Sequence, residues 1–400
     1  QGDLFNILIT YEDENGQKEV QLNVRDFESL FDFSGDTSSV AFDFFLISSI
    51  SYGIDDLFAR SNYSFNGWTR EFEVEFPVNN VEAWSDVKSQ LSGALSFLTG
   101  DLWEVSFKPI ESQVFLERTN RRQSAIPIYE YDDYSFASLF SGGLDSLIGV
   151  INQLENLSPN KKGILISHSD GDYPGPQTDQ FRVSSKLREA YPEKFVNISC
   201  RIGLSNRNTI GESFSRDGNQ RSRSILFLGI ASYLVHQLPN LNELILPENG
   251  TISLNHPLTP SRSSSLSTRT THPFFIDRLQ NIFAQVGIDV LIRNPFSFHT
   301  KGEMVAQCLN STVLAQTYME SVSCGKRGHK VHWDIRNAKQ CGVCMPCIYR
   351  RAALNKLDLD NEIYGKDLLN SHDPENLARQ DLSALFDYLK SPLTIDTIKR

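Results

Sequence analysis

The spacing of hydrophobic and polar positions changes once along the chain, near residue 130. Ahead of that point, strand-like runs at 5–11, 19–24, 70–78 and 103–107 are mixed with helix-like stretches at 40–60 and 81–98. This mixture predicts an N-terminal α+β domain over residues 1–130. Residues 117–133 are rich in charge and turn formers, including Arg121, Arg122 and Pro127, and read as a linker with a boundary between 125 and 134. Beyond it, apolar runs at 135–140, 163–167, 195–199 and 244–246 alternate with amphipathic stretches reaching 156 and covering 178–190 and 221–237. Strand and helix in alternation predict an α/β domain over 131–400, a parallel sheet with helices on both faces, and ligands in such sheets bind beyond the carboxyl ends of the strands. A Ser/Thr-rich stretch at 259–271 reads as a mobile loop, and no internal repeat is visible.

The first strand of that second part ends in Ser141-Gly142-Gly143-Leu144-Asp145-Ser146, with a helix expected from Leu144. Two glycines at a strand-to-helix turn let the backbone approach an anion, and the free N–H groups and dipole of a helix start favour negative charge there. Ser141 and Ser146 add hydroxyl donors. Asp145 would be repulsive in an anion cradle by itself, so it is expected to hold Mg²⁺ or to orient the loop. A glycine turn of this kind also occurs where no nucleotide binds; the flanking apolar strand and amphipathic helix favour a nucleotide loop. No G-x-x-x-x-G-K-[ST] string is present, which argues against γ-phosphate hydrolysis of the P-loop type.

Charge changes the choice of partners. The chain carries 49 acidic and 38 basic side chains, net −11 with neutral histidines, and the imbalance lies in the front third. No long Lys/Arg stripe exists to displace counterions from a duplex, so nucleic acid is an unfavoured partner. An acidic face is ordinarily a solvated surface, and the sharper alternative is docking to a basic protein patch. With 40% hydrophobic residues and no run of eighteen apolar ones, neither a membrane span nor a signal peptide is visible, and a cytoplasmic protein is expected.

Four of the six cysteines are close together: Cys324, then, after sixteen intervening residues, Cys341, Cys344 and Cys347. Four thiolates suit a tetrahedral Zn²⁺ whose closed shell leaves no position for water, a structural site. A redox pair, scattered core cysteines or an iron–sulfur cluster are the alternatives. His329 and His332 lie between the first two cysteines and could compete as ligands, while Cys200 and Cys308 read as buried thiols.

SGGLDS, the run 223–228 beginning with Arg223, the run 298–305 containing Lys301, and the final cysteines occur in one order that resembles the QueC family, the 7-cyano-7-deazaguanine synthases. The resemblance covers residues 134–356. It implies a PP-loop fold of the adenine-nucleotide α-hydrolase type, with ATP on Ser141–Ser146, Arg223 near the nucleotide, Lys301 at a helix start, and zinc on the four cysteines. This chain departs from the family in the residues ahead of its loop, in Ser224 where an Asn is usual, and in lacking a Tyr-Pro-Asp stretch after Glu248-Asn249-Gly250. Its front segment, with Asp55, Asp56, Arg60, Trp68, Arg70 and Trp84, looks like that of the QatC-like branch found in bacterial anti-phage operons.

The resemblance further implies a reaction: a 7-deazaguanine carboxylate attacks the α-phosphorus of ATP with Mg²⁺, pyrophosphate leaves, and an amine then displaces AMP. Asp145, Ser146 and Lys301 are the expected catalytic residues, with Arg223 a second candidate cation. The amine belongs either to ammonia, as in queuosine-type biosynthesis, or to a protein encoded in the same operon. The rival readings are a tRNA-modifying PP-loop enzyme and a noncatalytic ATP-binding subunit of a defence complex. Asp170, Asp172 and Gln177 are further candidates for lining the nucleotide pocket.

Overall fold

A computed structural model describes residues 5–13, 16–111, 128–170, 175–218, 221–255, 269–368 and 377–390. Asp172, Arg121, Arg122, Pro127 and most of the 259–271 stretch lie outside the described residues. The front segment comprises β1 (Phe5–Asp13), β2 (Gly16–Arg25), α1 (Phe27–Ser34), α2 (Val40–Leu57), α3 (Arg60–Tyr63), β3 (Glu71–Val78), α4 (Val81–Asp86), α5 (Lys88–Thr99) and β4 (Leu102–Pro109). There follow β5 (Tyr134–Leu139), α6 (Leu144–Glu155), β6 (Lys162–Ser169), α7 (Pro176–Ala190), β7 (Phe195–Leu204), α8 (Arg223–Val235), β8 (Glu243–Ile245) and α9 (Gly250–Leu254). The remainder is α10 (Pro273–Val286), β9 (Leu291–Arg293), α11 (Lys301–Ala306), α12 (Ser311–Thr317), α13 (Met345–Asn355) and α14 (Leu377–Lys390).

The main sheet has seven strands in the order β1-β2-β7-β6-β5-β8-β9. From β7 to β9 every neighbouring pair is parallel, so the α/β class and the mostly parallel sheet expected from the alternating pattern are present. The β1–β2 hairpin is antiparallel and joins the sheet through antiparallel pairing of β2 with β7, Val24 opposite Ile202. The front segment therefore adds strands to the sheet of the second part, across the boundary expected near residue 130. Its other two strands, β3 and β4, pair in parallel as a separate two-stranded sheet.

Period-two alternation divides the strand side chains between two cores. Ala137, Leu139, Ile164, Ile166, Ile198 and Leu244 belong to one core, whereas Phe136, Leu165, Phe195 and Ile245 belong to the other. Helices α6, α7, α11 and α12 supply apolar side chains to the second core. The first core takes α8 and α10 from the second part and α1, α2 and α5 from the front segment. Helix α2 is buried along nearly all its length, as its apolar composition on every side requires. It crosses α8 so closely that a Cβ on Gly229 would lie 1.8 Å from Ser48 Oγ.

Where α2 ends, charged groups are buried. Arg70 donates to Asp55 at 2.5 Å and to Asp101 at 2.6 Å, and Arg60 donates to Asp101 at 2.7 Å and Asp217 at 3.0 Å. Asp55 also accepts from the Ser222 backbone N–H at 2.9 Å and its hydroxyl at 2.8 Å, which fixes the start of α8. Burial alone would raise the Asp55 carboxyl, but Arg70 and its hydrogen bonds hold it below its ordinary value. The motif residues Asp55, Arg60 and Arg70 thus tie the front segment to α8 from inside. Removing one member leaves buried charge without a partner, so Arg70→Met is expected to destabilise the protein by about 3–5 kcal/mol in chemical unfolding. A loss below about 1 kcal/mol would show the network to be well solvated.

Candidate functional site

Among the parallel strands, β5 has β6 on one side and β8 on the other, so the chain order reverses direction at β5. In open α/β sheets the crevice for a ligand opens at such a reversal, outside the carboxyl ends of the strands. Ser141, Gly142 and Gly143 occupy that end of β5. Gly142 has φ +79, and a Cβ there would lie 3.0 Å from the Gln180 backbone nitrogen, so both conformation and space demand glycine. Gly143 is the extended N-cap of α6. Ser141 Oγ accepts from the Gly143 N–H at 3.3 Å and lies 3.3 Å from Ser146 Oγ, while Ser146 donates to the Gly143 carbonyl at 3.0 Å. The hydroxyls of both serines therefore gather over the first turn of a twelve-residue helix, where the dipole favours an anion.

Asp145 points into the protein. Its carboxylate pairs with the Lys301 ammonium and accepts from Asn249 Nδ2 at 2.7 Å. Burial opposes its ionisation, yet Lys301 and the neighbouring donors hold its carboxyl below the ordinary value. Lys301 is the first residue of α11, set by a Thr300–Glu303 capping box. A cation is unfavourable at a helix start, and Asp145 offsets that cost. Half-buried Glu248 completes the group: burial and then the adjacent Asp145 carboxylate push its carboxyl well above its ordinary value, and its Oε1 accepts from Asn249 Nδ2 at 3.3 Å. Asn249, besides binding Asp145, caps α9 by accepting from the Ile252 N–H at 3.1 Å.

The structure thus brings Ser141 through Ser146 together with Lys301. Arg223 is the first residue of α8, with its guanidinium 5.6 Å from the Phe227 ring. Its near neighbour is His168 at the end of β6, an imidazole that burial and then Arg223 push down to about 3. Asp170 is buried and accepts from the Tyr52 hydroxyl at 2.6 Å, while Gln177 is exposed on α7. Sequence reasoning passed over Gln180, Glu248, Asn249 and Ser323 as parts of this site. Glu248-Asn249 follows β8, the strand beside β5, and position after a strand was the available signal.

The four cysteines Cys324, Cys341, Cys344 and Cys347 bring their sulfurs within 4.8 Å of one another, and could hold a metal such as zinc. Cys341 and Cys347 sulfurs are 3.8 Å apart and those of Cys344 and Cys324 4.0 Å, against about 3.8 Å for the edge of a tetrahedral ZnS₄ unit. His329 and His332 are outside this group and stack on each other with centroids 6.4 Å apart. Cys200 is buried as expected; Cys308 is half-buried. Residues beside the cysteines reach the glycine loop. The Val322 N–H donates to the Gly142 carbonyl at 3.0 Å, and Ser323 Oγ accepts from the Leu144 N–H at 3.3 Å. Ser323 N–H in turn donates to Gln340, the residue before Cys341, at 3.1 Å.

Compared with known proteins, the chain matches no protein-family model and no curated protein.

The two carboxyls have opposite pH windows. Glu248 contributes fully below its ordinary value of 4.5, and that contribution is lost as pH rises through its elevated folded value. Asp145 contributes above 3.8 and loses that contribution as pH falls through its lowered folded value. Glu248→Gln mimics the neutral acid, so its melting temperature should match that of the parent near pH 4 and exceed it increasingly towards alkaline pH. Superimposable pH profiles would show that Glu248 is charged in the fold. Stripping metal with a strong chelator, or Cys344→Ser, should lower the melting temperature by about 5 °C or more, with one zinc per chain released. Stoichiometric iron in the metal analysis would replace zinc as the resident ion.

Proposed function

We propose that the chain binds ATP at Ser141–Ser146 and cleaves it to AMP and pyrophosphate in activating a carboxylate, as a PP-loop enzyme of the QueC-like kind. The observation that carries this reading is the Gly142-Gly143 turn at the carboxyl end of β5, with an acid, an ammonium and a metal cluster's adjoining residues all converging on it. Gly142 has no room for a side chain, since the Gln180 backbone lies where a Cβ would sit, and the bare turn leaves the N–H groups at the helix start uncovered for an anion. A P-loop lysine string is absent from the sequence, and Lys301, supplied from a different helix, pairs with Asp145 of the loop.

In this reading the substrate is a 7-deazaguanine acid. One of its carboxylate oxygens attacks the α-phosphorus, the bond to the bridging oxygen of the β-phosphate breaks, and pyrophosphate leaves with that electron pair. An amine then attacks the acyl carbon and AMP departs. Adenylation removes the charge that makes a carboxylate a poor electrophile and supplies a leaving group. The protein's share is position and charge: loop N–H groups and the Ser141 and Ser146 hydroxyls hold phosphate oxygens, and Lys301, exchanging Asp145 for phosphate, neutralises developing charge. Asp145 offers a carboxylate oxygen of the kind that Mg²⁺ takes, and Mg²⁺ would supply further charge neutralisation. Asp145 is already held by Lys301 and Asn249, which favours its role as the group that orients the loop. The acceptor amine is assigned to a partner protein, and the setting to anti-phage defence, on the strength of the resemblance of the front segment.

The test is release of AMP and pyrophosphate from ATP and Mg²⁺ with 7-carboxy-7-deazaguanine present. Gly142→Ala should weaken nucleotide binding at least about tenfold, because Ala must take a left-handed conformation and meet Gln180 backbone. Asp145→Ala should abolish cleavage. Full activity in either variant, or absence of nucleotide binding by the parent protein, would overturn the reading.

A further inference from the structure

A groove of about 950 Å³ lies far from the glycine loop, between two strands that, among the described residues, each lack a neighbour on one side. β1 ends the seven-stranded sheet, and β3 is one of only two strands in its own sheet. Residues 7–13 of β1 and 70–75 of β3 line the groove without a gap. Successive side chains of a strand point to opposite faces, so an unbroken run of lining residues means that the groove meets both strands at their edges, where backbone N–H and C=O groups are. Its floor is Ile50 and Ile54, four residues apart on one stripe of α2, and Phe58 just past the end of that helix.

The rim is acidic. Glu71, Glu73 and Glu75 alternate along β3 with the half-buried Phe72 and Val74, and all three carboxylate side chains are exposed. Glu75 is engaged by Lys108 at 2.9 Å; among the described residues no cation contacts Glu71 or Glu73. Arg70, the other cation in the lining, is committed to Asp55 and Asp101. Charges of one sign along an edge repel a second acidic copy and select a cationic strand.

We infer that this groove is a docking site for an extended, lysine- or arginine-bearing segment of a partner protein, which adds as a β-strand to the edge of β1 or β3. Main-chain hydrogen bonds would supply affinity, alternate apolar side chains would rest on the α2 stripe, and the intervening cations would face the glutamates. The inference does not depend on the nucleotide reading, since no residue of the glycine loop takes part.

The experiment uses the full chain and two blocked octapeptides, one alternating lysine with valine and the other alternating glutamate with valine. The lysine peptide should bind, with affinity that falls as salt is raised, and should slow amide hydrogen exchange in residues 7–13 or 71–75. Glu71→Lys combined with Glu73→Lys should weaken that binding about tenfold or more while leaving ATP binding unchanged. The inference is overturned if the lysine peptide does not bind, if both peptides bind equally, or if binding leaves exchange in both strands unaltered. Because exchange is read on the parent protein, misfolding of the variant would not rescue it.

Discussion

Parallel strands present apolar side chains on both faces, and neither face can be left to water. In this chain one face is closed by helices that follow the strands locally, α6, α7, α11 and α12. The other needs more than α8 and α10 provide, and the front segment supplies the missing cover in α2. That requirement explains why eighteen residues from Val40 form a helix apolar on nearly every side, and why α8 carries Gly229 where the two helices cross. It also explains why β2 pairs with β7: once α2 lies on the sheet, the hairpin ahead of it is delivered to the open edge.

Burying helices this deeply brings charges inside, and the molecule resolves the cost differently in two places. At the end of α2, guanidinium forks and carboxylates satisfy one another in a closed network, an arrangement that locks elements together. At the carboxyl end of β5 the Lys301 ammonium faces the Asp145 carboxylate, with Glu248, its carboxyl pushed up, and the Asn249 amide completing the shell. A lysine is a compact charge with free rotation, and one partner holds it less rigidly than a fork would. A polyanion on the loop can therefore compete for Lys301 without dismantling the fold. The cysteine cluster holds the opposite side of the loop through Val322 and Ser323, so the cradle is braced on both sides by residues remote in sequence.

What was legible in the sequence follows from range. Strands β1 to β8 and the longer helices α2, α5, α6, α7 and α8 show in periodicity, which is a local property, whereas the eight-residue α1 does not; the glycine loop shows because φ +79 at that turn favours glycine. The cysteine quartet shows because few other roles need four thiols at such spacing. By contrast β9 has three residues and too little pattern to register. Glu248, Asn249, Gln180 and Ser323 have no local signature, since their roles arise only when separate loops meet. Arg223 reads as a cation in a helix start, yet its placement against Phe227 and His168 depends on how α8 lies over β6. Charge was legible in number and not in place: Asp43, Asp55, Asp56 and Asp101 count towards the acidic front third but are buried. The exposed acidity is thus concentrated on fewer elements than composition suggests.

That concentration gives the molecule an electrical direction. The β1 edge is four strands from β5, about 19 Å at ordinary strand spacing. Carboxylates of β3 gather beside that edge. At the other end Lys301 pairs with Asp145 of the loop, and in the cysteine segment burial and then Arg327 lower the Lys330 ammonium. Both arrangements carry self-repulsion that a neutralised surface would avoid. Under the two proposals a cationic strand would relieve the first and a phosphate chain the second. The separation puts the two proposed sites on different groups, so binding at one would not compete with binding at the other.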